Sequence, residues 1–393
     1  MFLTPVWVLS VICVILCLLG WIEYRSHQAI LATIPLRIHV NGTRGKSSVT
    51  RLIAAGLRAG GLKTFAKVTG TAPRVIDDQG GDRIIHRLRG ASIGEQVRIL
   101  RYFSREQPDA VVIECMAVQP QYQWLAEQKM VKSHIGVITN SRPDHLDEMG
   151  PTQEDVTLSL CNTIPFHARF FTAEPEQNQV MARIAEKRGT EFNLVSDDTF
   201  DHRVLSRFSY VEHPQNVALA LKVCEAAGVS RDKALSGMIR VKPDLGSLQV
   251  WNLRIEGKQY LFINGMAAND PVSTFQIWKM VINRYPVLGN TCVFLTTRDD
   301  RRSRTFQLLE MVYTEIKPQH LLIRGTKLES AVHFIENLEP GLTPTLIPTG
   351  ASDDEVLQAI ARIPEDSIIY AIGNQVGAGQ RLLDSLKRYR TDD

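Results

Sequence analysis

Leu36-Arg37-Ile38-His39-Val40-Asn41-Gly42-Thr43-Arg44-Gly45-Lys46-Ser47-Ser48-Val49 is the stretch on which the reading of the chain turns. Leu36 to Val40 alternates as a strand does, Asn41 to Ser48 is a glycine-containing turn, and from Val49 to about Ala59 apolar residues recur at helical spacing. Strand, tight loop and helix in that order make a phosphate-binding unit. Glycines let backbone N–H groups turn inward onto phosphate oxygens, the Lys46 ammonium reaches the β- and γ-phosphates, and the Ser47 hydroxyl at the helix N-terminus is placed to ligate Mg²⁺. Asn41, Gly42, Thr43, Arg44, Gly45, Lys46, Ser47 and Ser48 are therefore the candidate ATP-binding residues, with Lys46 also catalytic. The long form G-x-x-x-x-G-K-[ST] is not met, because Val40 stands five residues before Gly45. The loop is the shorter G-T-x-G-K-S.

Two further segments bear on the same chemistry. Ala110-Val111-Val112-Ile113-Glu114 is an apolar strand ending in a carboxylate, and the ends of parallel strands converge beside a phosphate loop. Glu114 is accordingly a candidate metal ligand and catalytic residue; for an isolated glutamate, a satisfied edge position is the alternative. Val137-Ile138-Thr139-Asn140-Ser141-Arg142-Pro143-Asp144-His145-Leu146-Asp147-Glu148-Met149-Gly150 is a second strand running into a DHLD loop, and His145 joins Ser47 and Glu114 in the candidate metal set. Thr71 and Glu154 are further candidates. His213-Pro214-Gln215-Asn216 opens a helix that runs to Ala226-Ala227-Gly228.

Taken in order, these segments resemble the Mur ligase superfamily, which includes the peptidoglycan amino-acid ligases and the folylpolyglutamate synthetases. The resemblance rests on G-T-x-G-K-S, on TN-x-x-x-DHLD-x-x-G and, more loosely, on the segment at Asn216, which in the family lies near the adenine. It implies an ATP-dependent amide ligase that makes an acyl phosphate, with His145 holding a second Mg²⁺. It also likens Asn269-Asp270-Pro271 and the Arg298 to Arg304 loop to nucleotide-contacting segments of the C-terminal domain, so Arg298 joins the candidate ATP-binding residues. There are departures. No lysine occurs between Lys132 and Lys187 to supply the carbamylated lysine of many relatives, so the bridge between metals comes from Glu154 or Asp155 or is absent; the linker also lacks P-G-R. The nucleotide-sugar domain of the peptidoglycan enzymes has no counterpart, so a soluble UDP-linked substrate is not expected. Within the superfamily the chain is most similar to the ligase subunits of bacterial capsule poly-γ-glutamate synthases.

Outward from these motifs, residues 1–22 carry no charge and Val6 to Ile22 is almost wholly apolar. At about 1.5 Å per residue such a helix approaches the roughly 30 Å hydrocarbon thickness. A cleaved signal or a buried core helix are the other readings, but no basic n-region or cleavage site is present. Trp7 and Trp21 sit near its ends, and Arg25 and Arg37 follow it, which places the rest of the chain in the cytoplasm. The expected architecture is α/β: an N-terminal transmembrane anchor (1–24), a central P-loop-type parallel-sheet ATPase domain (25–241) and a C-terminal Rossmann-like α/β domain (242–393), with Lys242 to Gly246 as linker.

Composition sets the classes to exclude. The chain has 393 residues, 44% apolar and 22% charged, with a net charge of +3. That charge, without basic runs, argues against nucleic-acid binding. Cys13, Cys17, Cys115, Cys161, Cys224 and Cys292 are scattered and read as thiols of a reducing compartment. Residues 83–105 hold six arginines, Arg83, Arg87, Arg89, Arg98, Arg101 and Arg105, against one acid, Glu95. They are either a guide for a polyanion or a solvated helical face. The resemblance implies ATP and Mg²⁺ as cofactors, glutamate and a polyglutamate chain as substrates, and other membrane subunits of a polymer synthase as partners. A homo-oligomer is compatible with the sequence. A folylpolyglutamate-synthetase-like ligase and a non-ligase ATPase that energises polymer export are the alternatives.

Overall fold

The structure, a computed structural model, describes the chain apart from residues 1–2, 71–72, 88–89, 197–200, 209, 211, 243–247, 267, 269, 286–288, 298–301, 327, 337–341, 376 and 392–393. Most of the expected linker therefore lies outside the described residues, as do Thr71, Asn269 and Arg298. The chain divides into one unit of Met1–Ser209 with His213–Leu245 and another of Tyr210–Glu212 with Gly246–Asp393.

The first unit is built on β1 (Leu36–Asn41), β2 (Thr64–Val68), β3 (Arg74–Ile76), β4 (Asp82–Ile84), β5 (Ala110–Glu114), β6 (Ile135–Ile138), β7 (Arg169–Thr172) and β8 (Glu191–Leu194). They form one eight-stranded sheet in the order β4-β3-β2-β5-β1-β6-β7-β8. β2, β5, β1, β6, β7 and β8 run parallel, while β3 and β4 add antiparallel at one edge. All of β5 is buried, which is why its sequence is a continuous apolar run rather than an alternating one. β1 lies between β5 and β6, with Val40 opposite Glu114 and Asn41 opposite Ile138. The carboxyl ends of the three strands thus meet in one crevice, where parallel sheets bind ligands.

Three helices matter most to this unit: α1 (Leu3–Ala32), α2 (Lys46–Ala59) and α3 (Glu95–Arg105). α2 begins directly after Gly45, whose φ of 79° makes the turn out of the loop, a conformation that costs glycine little. The helices Pro214–Ala226 and Arg231–Ile239 cross α2 closely. A Cβ on Gly237 would stand 2.3 Å from the Ala55 carbonyl oxygen, and one on Gly56 would stand 2.7 Å from Cys224 Sγ. These glycines let the backbones approach and set Asn216 beside Gly45.

α1 is one unbroken helix of 30 residues, and its most apolar 18-residue window within Trp7–Ala32 has a mean hydropathy of 2.1. Trp7 to Ser26 is exposed, whereas His27 and Leu31 are buried against the body. His27 Nε2 bonds the Met130 carbonyl at 2.7 Å, and Lys132 Nζ donates to Gln28 Oε1 at 2.6 Å. The helix outruns the expected anchor because nothing between Trp21 and Ala32 breaks it; the next breaker is Pro35.

The second unit holds β9 (Gln249–Ile255), β10 (Lys258–Asn264), β11 (Thr291–Thr296), β12 (His320–Gly325), β13 (Thr345–Pro348) and β14 (Ser367–Gly373). Its six-stranded sheet has the order β13-β12-β11-β14-β10-β9. All neighbours are parallel except β9 with β10. Glu256 and Gly257, at φ 50° and 85°, make the tight left-handed turn that such a hairpin requires. The strands alternate with helices, so both units are the α/β layers the sequence implies. Asp270, in the segment likened to a nucleotide loop, caps the helix Pro271–Arg284 by accepting from the Ser273 N–H at 2.7 Å.

β1 also carries a buried charge pair. His39 Nδ1 lies 2.7 Å from Glu127 Oε2, both side chains being fully buried, and Glu127 Oε1 accepts from Ser133 N and Oγ at 2.8 and 3.0 Å. Burial opposes a charge on His39, but its neighbours Cys115 and Glu127 outweigh it and raise the imidazole to about 9. Since this exceeds the unfolded value of about 6.5, the stabilisation is complete below that pH and is lost as pH rises through about 9. The thermal midpoint is expected to fall between pH 6.5 and pH 9.5. Glu127→Gln should be less stable at the lower pH, by about 3–5 kcal/mol for a broken buried pair, and should lose much of that slope. Equal slopes in the two proteins would contradict the pairing.

Candidate active site

The phosphate loop is held by the segment that follows β6. Thr43 N–H donates to the Asn140 carbonyl at 3.0 Å, Thr43 Oγ1 to Asn140 Oδ1 at 2.7 Å, and Arg44 N–H to the same Oδ1 at 3.3 Å. In return, Thr139 Oγ1 and Asn140 Nδ2 donate to the Arg44 carbonyl at 2.6 and 3.0 Å. Gly42, at φ 132°, passes so near that a Cβ there would stand 2.0 Å from Thr139 Oγ1. The TN pair is therefore a latch that shapes the loop. Asn140→Ala removes all three side-chain bonds to the loop, at about 1 kcal/mol each, and is expected to weaken ATP binding at least about tenfold. Unaltered ATP affinity would remove the latch role.

Inside the loop, Lys46 Nζ donates to the Gly42 carbonyl at 2.7 Å and contacts the Thr43 carbonyl at 3.4 Å. Burial lowers the pKa of its ammonium, and the Glu114 carboxylate opposes that shift. Glu114, 2% exposed, accepts from Ser47 Oγ at 2.8 Å, from Thr69 N–H at 2.7 Å and from Thr69 Oγ1 at 2.5 Å. Two hydroxyls and a carboxylate at the foot of a phosphate loop are hard oxygen donors, the set that suits a divalent cation such as Mg²⁺. Among the described residues, no three His, Cys, Asp or Glu side chains converge as a metal site. The donor set fits an ion that takes most of its ligands from hydroxyls, water and substrate phosphate.

The loop opens on a pocket of about 320 Å³ lined by Gly42, Lys46, Thr69, Arg87, Glu114 and His145, among others. His145 sits at φ 51°, a left-handed conformation sparsely used by residues with a Cβ and often found at functional sites. Its ring is half exposed, with Nε2 3.8 Å from Asp144 Oδ2, and Asp144 in turn lies 3.4 Å from Arg44. Asn216 Oδ1 stands 2.8 Å from where a Gly45 Cβ would be, so the helix beginning at Pro214 abuts the loop. Asn41 turns its side chain away, donating to Gln123 Oε1 and Thr163 Oγ1 at 3.0 and 3.2 Å. Glu154 is exposed on the helix Gln153–Leu160 and does not line the pocket. Asp155 is engaged at that helix's N-terminus, accepting from Thr152 N and Oγ1 at 3.1 and 2.6 Å.

The sequence had not singled out Thr69, Lys67 or the role of Glu95. Lys67, fully buried, lies 3.1 Å from Glu95 Oε1, and Arg87 clamps the same carboxylate through Nε and Nη2 at 2.7 and 3.0 Å. Burial lowers the Lys67 pKa against the pull of Glu95. Arg83 is paired with Asp77 at 3.1 Å, while Arg98, Arg101 and Arg105 are exposed on α3. Of the arginines in residues 83–105, Arg87 alone lines the pocket among the described residues.

Comparison with known proteins adds a lineage to this geometry. Residues 40–217 match the family described as the Mur ligase middle domain, and residues 250–389 match the poly-gamma-glutamate synthase CapB C-terminal domain. The chain is 34% identical over 393 residues to a capsule biosynthesis protein of Bacillus anthracis, covering 97% of this chain and 82% of that one. It is 32% identical over 387 residues to a PGA synthase of Bacillus subtilis (strain 168), covering 98% of each. Among solved structures it resembles a bifunctional folylpolyglutamate synthase/dihydrofolate synthase from Yersinia pestis complexed with AMPPNP and Mn ion, at a TM-score of 0.70, 14% identity and 92% coverage of each chain. Escherichia coli FolC in complex with DHPP and ADP gives a TM-score of 0.67 at 17% identity, covering 93% of this chain and 92% of that one. At such identities the structural likeness is one of fold.

Proposed function

The chain belongs to the CapB family of Mur-type poly-gamma-glutamate synthases, and from that premise we propose the following division of labour among its residues. The protein is an ATP-dependent amide ligase of capsule polyglutamate synthesis. The terminal carboxylate of the acceptor chain attacks the γ-phosphorus of ATP, the P–O bond to ADP breaks, and an acyl phosphate forms. The amine of glutamate then attacks the acyl carbon, phosphate leaves carrying a carboxylate oxygen, and the amine proton passes to solvent or phosphate. Lys46 and the loop N–H groups bind the β- and γ-phosphates and neutralise charge as the phosphoryl group transfers. Ser47, Glu114 and Thr69 would hold the divalent cation, taken to be Mg²⁺, which when bound supplies further neutralisation at the phosphoryl oxygens. His145 faces the same pocket at a position suited to the acyl phosphate, Arg87 to the acceptor carboxylate and Asn216 to the nucleotide; Arg298, outside the described residues, is assigned to the nucleotide by family resemblance alone.

α1 anchors the enzyme as a single span over residues 1–24 and the units that follow are cytoplasmic, an ATP-binding domain over 25–241 and a ligase domain over 242–393. Other membrane subunits of a synthase complex are the expected partners, and self-association is compatible with this arrangement. The observation that carries the reading is the Ser47–Glu114–Thr69 network beside half-buried Lys46. Its test is amide formation by the purified full chain. ADP and a γ-glutamyl amide should appear together and only with glutamate, whereas ADP release indifferent to glutamate would point to an export ATPase.

A further inference from the structure

A second pocket, of about 740 Å³, lies at the amino ends of β6, β7 and β8, the opposite end of the sheet from the phosphate loop. Lys132, Ser133, His134, Phe166, His167 and Arg169 line it, among others. Its depth relative to a bilayer follows from α1, so the inference rests on the proposed membrane span. The apolar run ends at Ile22; at about 1.5 Å per residue, Tyr24 stands about 3 Å and Gln28 about 9 Å beyond it. Lys132 Nζ meets both, 5.8 Å from the Tyr24 ring centroid and 2.6 Å from Gln28 Oε1. The headgroup layer is roughly 5–7.5 Å thick on each side, half the difference between about 40–45 Å and about 30 Å, which falls between the heights of Tyr24 and Gln28. The Lys132 ammonium is thus held at headgroup depth, and the pocket opens from it.

The surroundings suit that depth. The Arg25 guanidinium lies 5.8 Å from the Trp21 ring centroid, and Arg188 stands 5.1 Å over Phe166, which is 51% exposed. Trp and Tyr are the aromatic residues characteristic of membrane interfaces, and Trp21 and Tyr24 stand at that end of the apolar run. Two acids also line the pocket. Glu127 is committed to His39 and Ser133, and Glu191 accepts from Asn193 Nδ2 at 3.2 Å. Lys132 and Arg169 supply the positive charge at its wall, with Arg188 against its Phe166.

We propose that this pocket binds the phosphate headgroup of an anionic phospholipid of the cytoplasmic leaflet and so fixes the orientation of the first unit on the membrane. Free phosphate offers the same charge, but only a lipid phosphate is concentrated at the depth to which α1 holds Lys132. Each basic group near an anionic surface is worth about a fivefold change in occupancy.

The test places the full chain in phosphatidylcholine nanodiscs carrying a photoactivatable phosphatidylglycerol and maps the labelled peptides. Labelling of residues 132–134 and 165–169 is expected, about fivefold weaker in Lys132→Asn and restored in Lys132→Arg. Asparagine is chosen because position 132 has φ 48°, which that residue tolerates. Ligation in detergent should be the same in all three proteins. Short-chain phosphatidylglycerol should displace the label, while inorganic phosphate should not. Labelling confined to α1, labelling indifferent to Lys132→Asn, or equal displacement by inorganic phosphate would each overturn the proposal. A full-length protein released from membranes by alkaline carbonate would instead overturn the span itself, a result distinct from an anchored protein that takes no label.

Discussion

Lys46→Ala is expected to lower the rate of amide synthesis by about 10²–10³-fold, the ~2.7–4 kcal/mol that one preorganised charge-stabilising group usually supplies. The fold should survive, because the ammonium bonds only carbonyls of its own loop, those of Gly42 and Thr43, and both belong to backbone that the Thr139–Asn140 latch holds independently. The change should appear in the turnover number rather than in the thermal midpoint. Lys46→Arg should not rescue it, since a planar guanidinium does not replace a compact ammonium inside a closed loop. Near-normal ligation by the Lys46→Ala protein would place the phosphoryl-transfer site elsewhere.

Glu114→Gln is the second large effect. The carboxylate is the common acceptor of Ser47 and Thr69, and an amide presents one acceptor oxygen and no charge to the same three donors. The concentration of Mg²⁺ for half-maximal ligation should rise at least about tenfold, equivalent to about 1.4 kcal/mol, with a smaller rise in the Michaelis constant for ATP. His145→Ala should shift the same Mg²⁺ dependence by less, since its ring is half exposed and outside the Ser47–Glu114–Thr69 cluster. An unchanged metal requirement in Glu114→Gln would leave that carboxylate as scaffolding for the loop alone.

Much of this site was legible because its residues are local in sequence. The alternation of Leu36 to Val40, the glycines at 42 and 45 and the helix after Lys46 specify strand, loop and helix without reference to anything distant, and the DHLD segment is equally compact. The parts that escaped are those the sheet order creates. β2 becomes the neighbour of β5 only in the fold, with Lys67 opposite Ile113; nothing in Val68-Thr69-Gly70 announces that Thr69 will meet Glu114. The candidate named nearby was Thr71, two residues on and outside the described residues. Lys67 and Glu95 come from a strand and a helix separated by the β3–β4 hairpin, and their pairing is visible only once α3 packs. The arginines of residues 83–105 looked alike in the sequence, yet Arg83 and Arg87 are held by Asp77 and Glu95 whereas three others face solvent. The extension of α1 beyond the apolar run escaped for a different reason: residues 25–32 mix polar and apolar types, and their helicity comes from continuity with the preceding helix and from docking of His27 and Leu31.

In the proposed reaction a carboxylate oxygen becomes bonded to the γ-phosphorus of ATP before the amide forms. Oxygen-isotope transfer tests it directly. An acceptor polyglutamate labelled with ¹⁸O in its terminal carboxylate, incubated with the full chain, ATP, Mg²⁺ and glutamate, should yield inorganic phosphate carrying one ¹⁸O atom for each amide bond made. Phosphate that carries no label from the acceptor, however much ATP is consumed, would contradict the acyl-phosphate mechanism and with it the assignment of the chain as a ligase of this type.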